Sequence, residues 1–232
     1  MKIHFLGTGA ADWNIQNDVD NPEYRRNSSI LINDTLLVDP GSCIFEFEKT
    51  FGYENLYKDV KNVVCTHKHS DHYNPETVSK LGLELTELEL FEPTEVGNFI
   101  ITALPANHKT VDDPRHLVIE EKTSGKCFFY GLDGAWLTYE TAKYLRGRKF
   151  DLMLFDATLG SKEDLGGKLD YRIFEHNSLE MVELLCNTFK DNCNLFYISH
   201  MAKTLHRSHK LLSDYMVSKG INVAYDNHVV EI

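Results

Sequence analysis

The sequence predicts a single α/β (α+β) domain spanning residues 1–232, arranged as a layered αβ/βα sandwich. Short apolar runs that read as strands dominate the first half, and strands mix with helices in the second. At 232 residues the chain can bury one sizeable core without dividing. A further pointer is Thr66-His67-Lys68-His69-Ser70-Asp71-His72, which places three imidazoles and a carboxylate at the end of an apolar run. A regular dinucleotide-binding sheet is not expected, because Gly7-Thr8-Gly9 leads into Trp13 and Asn14 without a third glycine.

The first strand is residues 3–6, entering the Gly7-Thr8-Gly9 turn. A polar stretch over residues 10–26 follows, the longest loop of the chain, and loops of that length are usually functional. Further apolar runs predict strands at 29–32, 36–38, 62–65, 99–104, 117–120, 127–130, 152–155, 195–198, 223–225 and 229–232. Helices are expected at 138–145, 177–189 and 207–218. The clearest is 177–189, where Leu184, Leu185 and Phe189 are read as sharing a buried face with Met181 and Val182.

Composition narrows the function. The formal net charge of −11 argues against extensive nucleic-acid binding, which draws on many Lys and Arg contacts to phosphate. A small anionic substrate stays compatible, since bound metal ions can dominate a local field. No apolar stretch approaches the roughly 20 residues that span a membrane. The N-terminal apolar run is too short for a signal peptide, so a cytoplasmic location is expected. The five cysteines are scattered without CxxC spacing and read as reduced thiols, two of them (Cys65 and Cys127) inside apolar strands. A homo-oligomer is compatible with the sequence.

Imidazole and carboxylate are ligands for zinc, manganese and iron, and the cluster reads as the core of a two-metal hydrolase site. His67 and His69 are two apart, so on an extended segment they point the same way. Asp71 and His72 lie past a bend and can serve a second ion. Two ions need more ligands, and one pattern supplies them, an apolar strand ending in His or Asp. His108, Asp133 and His200 all fit it. Asp156 competes with Asp133 for a bridging place and is expected instead to orient a ligand, as is Asp39. His176 precedes Asn177-Ser178-Leu179-Glu180, read as a helix N-cap with Glu at its third position. A His there can contact an anionic group or protonate a leaving group. His206 and His209 are read as a solvated helical face, and His4, His116 and His228 have weaker claims.

The chain resembles the metallo-β-lactamase-fold hydrolase superfamily. The matching blocks are Phe5-Leu6-Gly7-Thr8-Gly9, Leu37-Val38-Asp39-Pro40-Gly41, the His67–His72 cluster, Asn107-His108, Tyr130-Gly131-Leu132-Asp133 and Ser199-His200. Within that superfamily it is most similar to the branch of the phosphonate-pathway cyclic phosphodiesterase and the tRNA-processing endonucleases. The pointers are Arg26-Asn27-Ser28-Ser29, His176-Asn177 and Tyr225-Asp226-Asn227.

The resemblance implies a four-layer sandwich and two divalent metal ions, with zinc expected and manganese or iron as alternatives. It implies one ion on His67, His69 and His108, a second on Asp71, His72 and His200, and Asp133 bridging. His176 and Asp71 are the implied catalytic residues. The implied reaction is hydroxide attack on a small or cyclic phosphodiester. Residues 10–26 lack the cysteines that hold a structural zinc in the phosphonate-pathway enzyme, and no long basic arm for tRNA is present. Three alternatives stay open at this point: hydrolysis of a lactone or thioester at the same site, a di-iron redox centre, and a metal-binding scaffold without activity. His69 disfavours the redox reading, because flavin-linked di-iron members carry Glu in place of a second His.

Overall fold

The computed structural model describes residues 1–110, 112–168 and 170–232. Its strands form two sheets. The first has β1 (Lys2–Gly7), β2 (Ser29–Ile32), β3 (Leu36–Val38), β4 (Asn62–Val64) and β12 (Val229–Glu231), in the order β12-β1-β2-β3-β4. The second has β5 (Thr94–Val96), β6 (Phe99–Pro105), β7 (Arg115–Glu121), β8 (Cys127–Gly131), β9 (Phe150–Asp156), β10 (Cys193–Ser199) and β11 (Ile221–Val223), in the order β11-β10-β9-β8-β7-β6-β5. Six α-helices are seen among the described residues: α1 (Ile15–Asp18), α2 (Ile44–Thr50), α3 (Pro75–Lys80), α4 (Tyr139–Arg146), α5 (Leu179–Phe189) and α6 (His209–Val217).

Period-two alternation sends successive side chains to opposite faces, and it builds three apolar layers. Ile3, Phe5, Ile32 and Val38 of the first sheet meet Phe99, Ile101, Leu117, Phe128, Tyr130 and Leu154 of the second. Their strand neighbours face outward: Leu6, Leu31 and Leu37 pack on Ile44, Phe47 and Val78 of α2 and α3. On the other side Val118, Phe129, Met153 and Phe155 pack on Leu145, Val182, Leu185, Leu212 and Met216 of α4, α5 and α6. Helix, sheet, sheet, helix is the four-layer αβ/βα sandwich expected from the sequence.

Three expectations are corrected. The first half also contains helices: β3 and β4 pair in parallel, and a parallel crossover needs a connection long enough to reverse, in which α2 lies. Leu184 is 57% exposed, and the buried face of α5 is Leu179, Met181, Val182, Leu185, Cys186 and Phe189. At about 100° per residue Leu184 lies on the far side from Val182. The strand expected at 223–225 is Ile221–Val223, because pairing with β10 ends at Ile198↔Val223 and the chain then turns back toward β12.

Topology fixes where the site lies. β8, β9, β10 and β11 are mutually parallel, and β6 runs the same way, since each pairs antiparallel with β7. The carboxyl ends of β6, β8, β9 and β10 therefore open on one rim, the usual place for ligands in such sheets. The end of β4 joins them where Arg115 N donates to Thr66 O at 3.2 Å.

Candidate metal centre

Asp133 stands at the middle of the rim. It is almost fully buried, and its Oδ2 lies 3.1 Å from His67 Nε2, 3.3 Å from His108 Nε2 and 3.4 Å from His72 Nε2. Its Oδ1 lies 3.0 Å from His176 Nδ1 and 3.3 Å from His200 Nε2. His69 turns Nδ1 to 3.2 Å from His108 Nε2, and Asp71 Oδ2 is 3.5 Å from His72 Nε2. The structure thus gathers every sequence-proposed ligand into two overlapping groups. One is His67, His69, His108 and Asp133, the other Asp71, His72, Asp133 and His200.

Fixed oxygens take one proton from each of four rings. Asp39 Oδ2 accepts from His72 Nδ1 at 2.8 Å, and the Glu175 carbonyl accepts from His108 Nδ1 at 3.3 Å. Ser28 Oγ donates to Gly9 O, so it accepts from His200 Nδ1 at 2.9 Å. Thr66 Oγ1 donates to Asp39 and is free to accept from His67 Nδ1 at 3.1 Å. These partners select one tautomer and leave four bare Nε2 atoms facing Asp133, the arrangement metal-binding histidines use.

The buried donors fit divalent ions. His67 Nε2, His72 Nε2 and Asp133 Oδ1 have no hydrogen-bond partner among the described residues, and buried polar atoms are rarely left so. Two ligands of one tetrahedral ion bound at about 2.0–2.1 Å lie roughly 3.3 Å apart, the spacing seen around Asp133.

Charge couples the same groups. Burial pushes Asp133 toward neutrality, but the facing His200 and His176 outweigh it and hold the carboxyl well below its usual range. Burial lowers His67 and His108, keeping them neutral. His176 is also pulled down by burial, yet Asp156 and Asp133 raise it to about 10.

Backbone conformation aims the strand-end residues inward. Asp39, Asp133 and His200 all adopt left-handed φ (54°, 58° and 66°), uncommon for residues with a Cβ and a recurrent feature of functional sites. Gly41 lets the cluster close, because a Cβ there would fall 2.8 Å from Asp71 O.

Asp156 touches His176 Nδ1 at 3.2 Å and accepts from Asn177 N and Thr158 N at 3.0 Å, so it orients His176. Ser178, not Asn177, caps α5, accepting from Met181 N at 3.4 Å, which moves Glu180 one place earlier than expected. Glu180 instead bonds Ser178 Oγ and Lys162 N. His206 and His209 form no solvated pair. His206 precedes α6 and lies 2.7 Å from Ala157 O, while His209 Nδ1 is 2.9 Å from Arg25 Nη2. Ser28, Thr66, Tyr130 and Thr158 were not singled out as positioning residues. Tyr130 carried the clearest signal, a phenol inside an otherwise apolar run before Asp133.

The metal-ligand groups open into a cavity of about 290 Å³, lined also by Ala10, Asp12, Lys109, Thr158 and Arg172. The start of the 10–26 loop therefore borders the site, as does Arg172.

The zinc-bound PqqB of Methylobacterium extorquens superposes with a TM-score of 0.75 at 16% identity, covering 100% of both chains. A diphosphatase of the PhnP family gives 0.69 at 16% identity, covering 100% of this chain and 98% of its own. Human tRNase Z, short form, gives 0.68 at 16% identity over 100% and 99%. At that identity the likeness is one of fold. No curated protein matches the chain by sequence. The model of the beta-lactamase superfamily domain matches residues 24–141, from the approach to β2 through the His67–His72 cluster and past Asp133, and on that match the chain belongs to the beta-lactamase superfamily.

Proposed function

We propose that this protein is a dinuclear-metal-dependent hydrolase that cleaves a small or cyclic phosphodiester. Superfamily membership and the clustered ligands support the metal-dependent hydrolase. The choice of phosphodiester is carried by one observation: His176, Lys109 and Arg172 line the same small cavity as the ligand cluster. In a chain of net charge −11, these three side chains, set beside Asp12 and Glu175 on the same lining, offer positive groups to an anionic substrate.

His67, His69 and His108 would hold one divalent ion, and Asp71, His72 and His200 the other, with Asp133 shared. Such a pair supplies Lewis acidity and a nucleophile from water at neutral pH, and zinc is the proposed metal, with manganese and iron fitting the same donors. His176 donates Nδ1–H to Asp156, which leaves Nε2 as the ring's working atom. With Asp156 stabilising the imidazolium, Nε2 holds a proton for the departing oxygen. Lys109 and Arg172 screen and orient the phosphoryl charge, and Asp170 fixes the Arg172 guanidinium through contacts of 2.9 and 2.6 Å.

The test is hydrolysis of bis(p-nitrophenyl) phosphate with added zinc or manganese and after chelation, beside a lactone and a thioester. Metal-dependent diester cleavage that disappears in His67→Ala is expected. Turnover of a carbonyl substrate alone by protein carrying two ions would overturn the reaction while leaving the metal site standing.

A further inference from the structure

One imidazole near the rim belongs to neither ligand group and has no part in the chemistry above. His206 lies six residues past His200, on the segment that leads from β10 into α6. Its Nε2 sits 2.7 Å from Ala157 O and 3.1 Å from Thr158 O, so the ring proton resides there and the two carbonyls share it. Burial lowers the ring to about 4 and keeps it neutral, and its Nδ1 has no partner among the described residues. Its only N–H is thus spent on two backbone carbonyls. Ala157 is fully buried, and among the described residues no other donor reaches its carbonyl. From the same segment Ala202 N donates to Thr158 O at 3.3 Å, and Arg207 Nη2 donates to Ser161 Oγ at 3.0 Å. Gly160 permits the approach, because a Cβ there would collide with Leu205 O.

The turn gripped in this way leaves β9 and faces His176 on its other side. Thr158 N and Oγ1 donate to the two Asp156 carboxylate oxygens at 3.0 Å each. Thr158 Oγ1 and Asp156 Oδ2 then lie 3.1 and 3.2 Å from His176 Nδ1.

We propose that His206 is a positioning residue, whose Nε2–H clamps the Ala157–Thr158 turn and through Asp156 and Thr158 sets the aim of the His176 ring. This rests on the phosphodiesterase reading, in which His176 protonates the departing oxygen. Proton transfer needs hydrogen-bond reach, and a misplacement of 1 Å far from the chemistry costs about 10²-fold. His206 touches neither the ligand groups nor the cavity lining, so its loss tells on proton delivery and spares metal and substrate binding.

The test uses zinc-loaded wild type, His206→Phe, which keeps a ring without an N–H, and His206→Gln, whose amide restores a donor near the Nε2 position. Two diesters of similar shape separate proton delivery from packing: bis(p-nitrophenyl) phosphate, whose leaving group departs readily without a proton, and diphenyl phosphate, whose leaving group does not. His206→Phe should lose about tenfold in kcat on diphenyl phosphate and much less on the nitrophenyl diester, with KM and zinc content unchanged. His206→Gln should recover most of that loss. NMR reads the same contact without turnover: the hydrogen-bonded imidazole N–H resonance that His176→Ala removes should shift or broaden in His206→Phe and return in His206→Gln. Equal losses on the two diesters, or no recovery with Gln, would make His206 a packing residue and overturn the proposal while leaving the phosphodiesterase reading intact. If wild type cleaves neither diester, that reading fails, and NMR decides the positioning on its own: an unmoved His176 resonance in His206→Phe overturns it. Should His206→Phe fail to fold, His206→Asn, whose amide stops near the Nδ1 position, should show the same selective loss, and wild-type turnover of diphenyl phosphate by that variant overturns the clamp.

Discussion

Asp39 is fully buried and accepts from His72 Nδ1 at 2.8 Å, Thr66 N at 2.7 Å and Tyr130 Oη at 3.0 Å. Burial, followed by the neighbouring Asp39 charge, raises the Tyr130 phenol well above its usual value, so it stays a donor. A ligand ring held this way keeps its tautomer and its aim, and loss of such an outer partner typically costs 10–100-fold in metal affinity. Asp39→Ala should therefore weaken one of the two ions by about that factor in a chelator competition, with the other ion kept. Unchanged affinity for both would mean His72 needs no support. Should that variant fail to fold, Tyr130→Phe asks the same question more gently. Loss of a hydrogen bond to a charged group costs about 1.5–3 kcal/mol, read by urea unfolding. His176 separates holding metal from using it. His176→Ala should lower kcat by about 10²–10⁴-fold while two ions are still counted by elemental analysis, and full turnover would remove it from the reaction.

At the scale of elements, what the sequence made legible follows from burial. β6, β8 and β9 are apolar on both faces because each face meets a packed layer, and such runs are hard to miss. α2, α3 and the edge strand β5 were not anticipated, being seven, six and three residues long. Short helices owe their stability to tertiary packing, here Ile44, Phe47 and Val78 against the first sheet, rather than to local periodicity. The α5 register went astray at Leu184, which at about 100° per residue falls on the side away from Val182 while Leu185 and Cys186 fall on the buried face. Leu184→Glu should change stability by no more than about 0.5 kcal/mol, whereas Leu185→Ala, emptying a buried position, should cost about 2–5 kcal/mol. Comparable urea midpoints for the two variants would contradict the observed face.

The site as a whole draws its donors from both sheets: the His67–His72 cluster follows β4 of the first, while His108, Asp133 and His200 follow β6, β8 and β10 of the second. That convergence was legible only as a repeated pattern of strand ends. Nothing in the spacing said that β6, β8 and β10 run the same way, which long-range pairing through β7 and β9 decides. A consequence follows for stability. On the proposed assignment, ions shared by ligands from opposite sheets would clamp the inner layer along the rim, and a donor set scattered by unfolding would bind them far less well. Ligand that binds only the folded chain stabilises it by RT ln(1 + [L]/Kd), about 2.7 kcal/mol at a hundredfold excess over Kd. For a chain of this size each kcal/mol moves Tm by about 2–4 °C, so zinc at that excess should raise Tm by roughly 5–11 °C over chelated protein. Asp133→Ala removes the carboxylate common to both ligand groups and should abolish most of the shift. A chelated protein that melts where the zinc-loaded one does would show that the clustered donors do not hold metal across the two sheets. An Asp133→Ala variant that keeps the full shift would instead move the shared role to Asp156, the other buried carboxylate at His176.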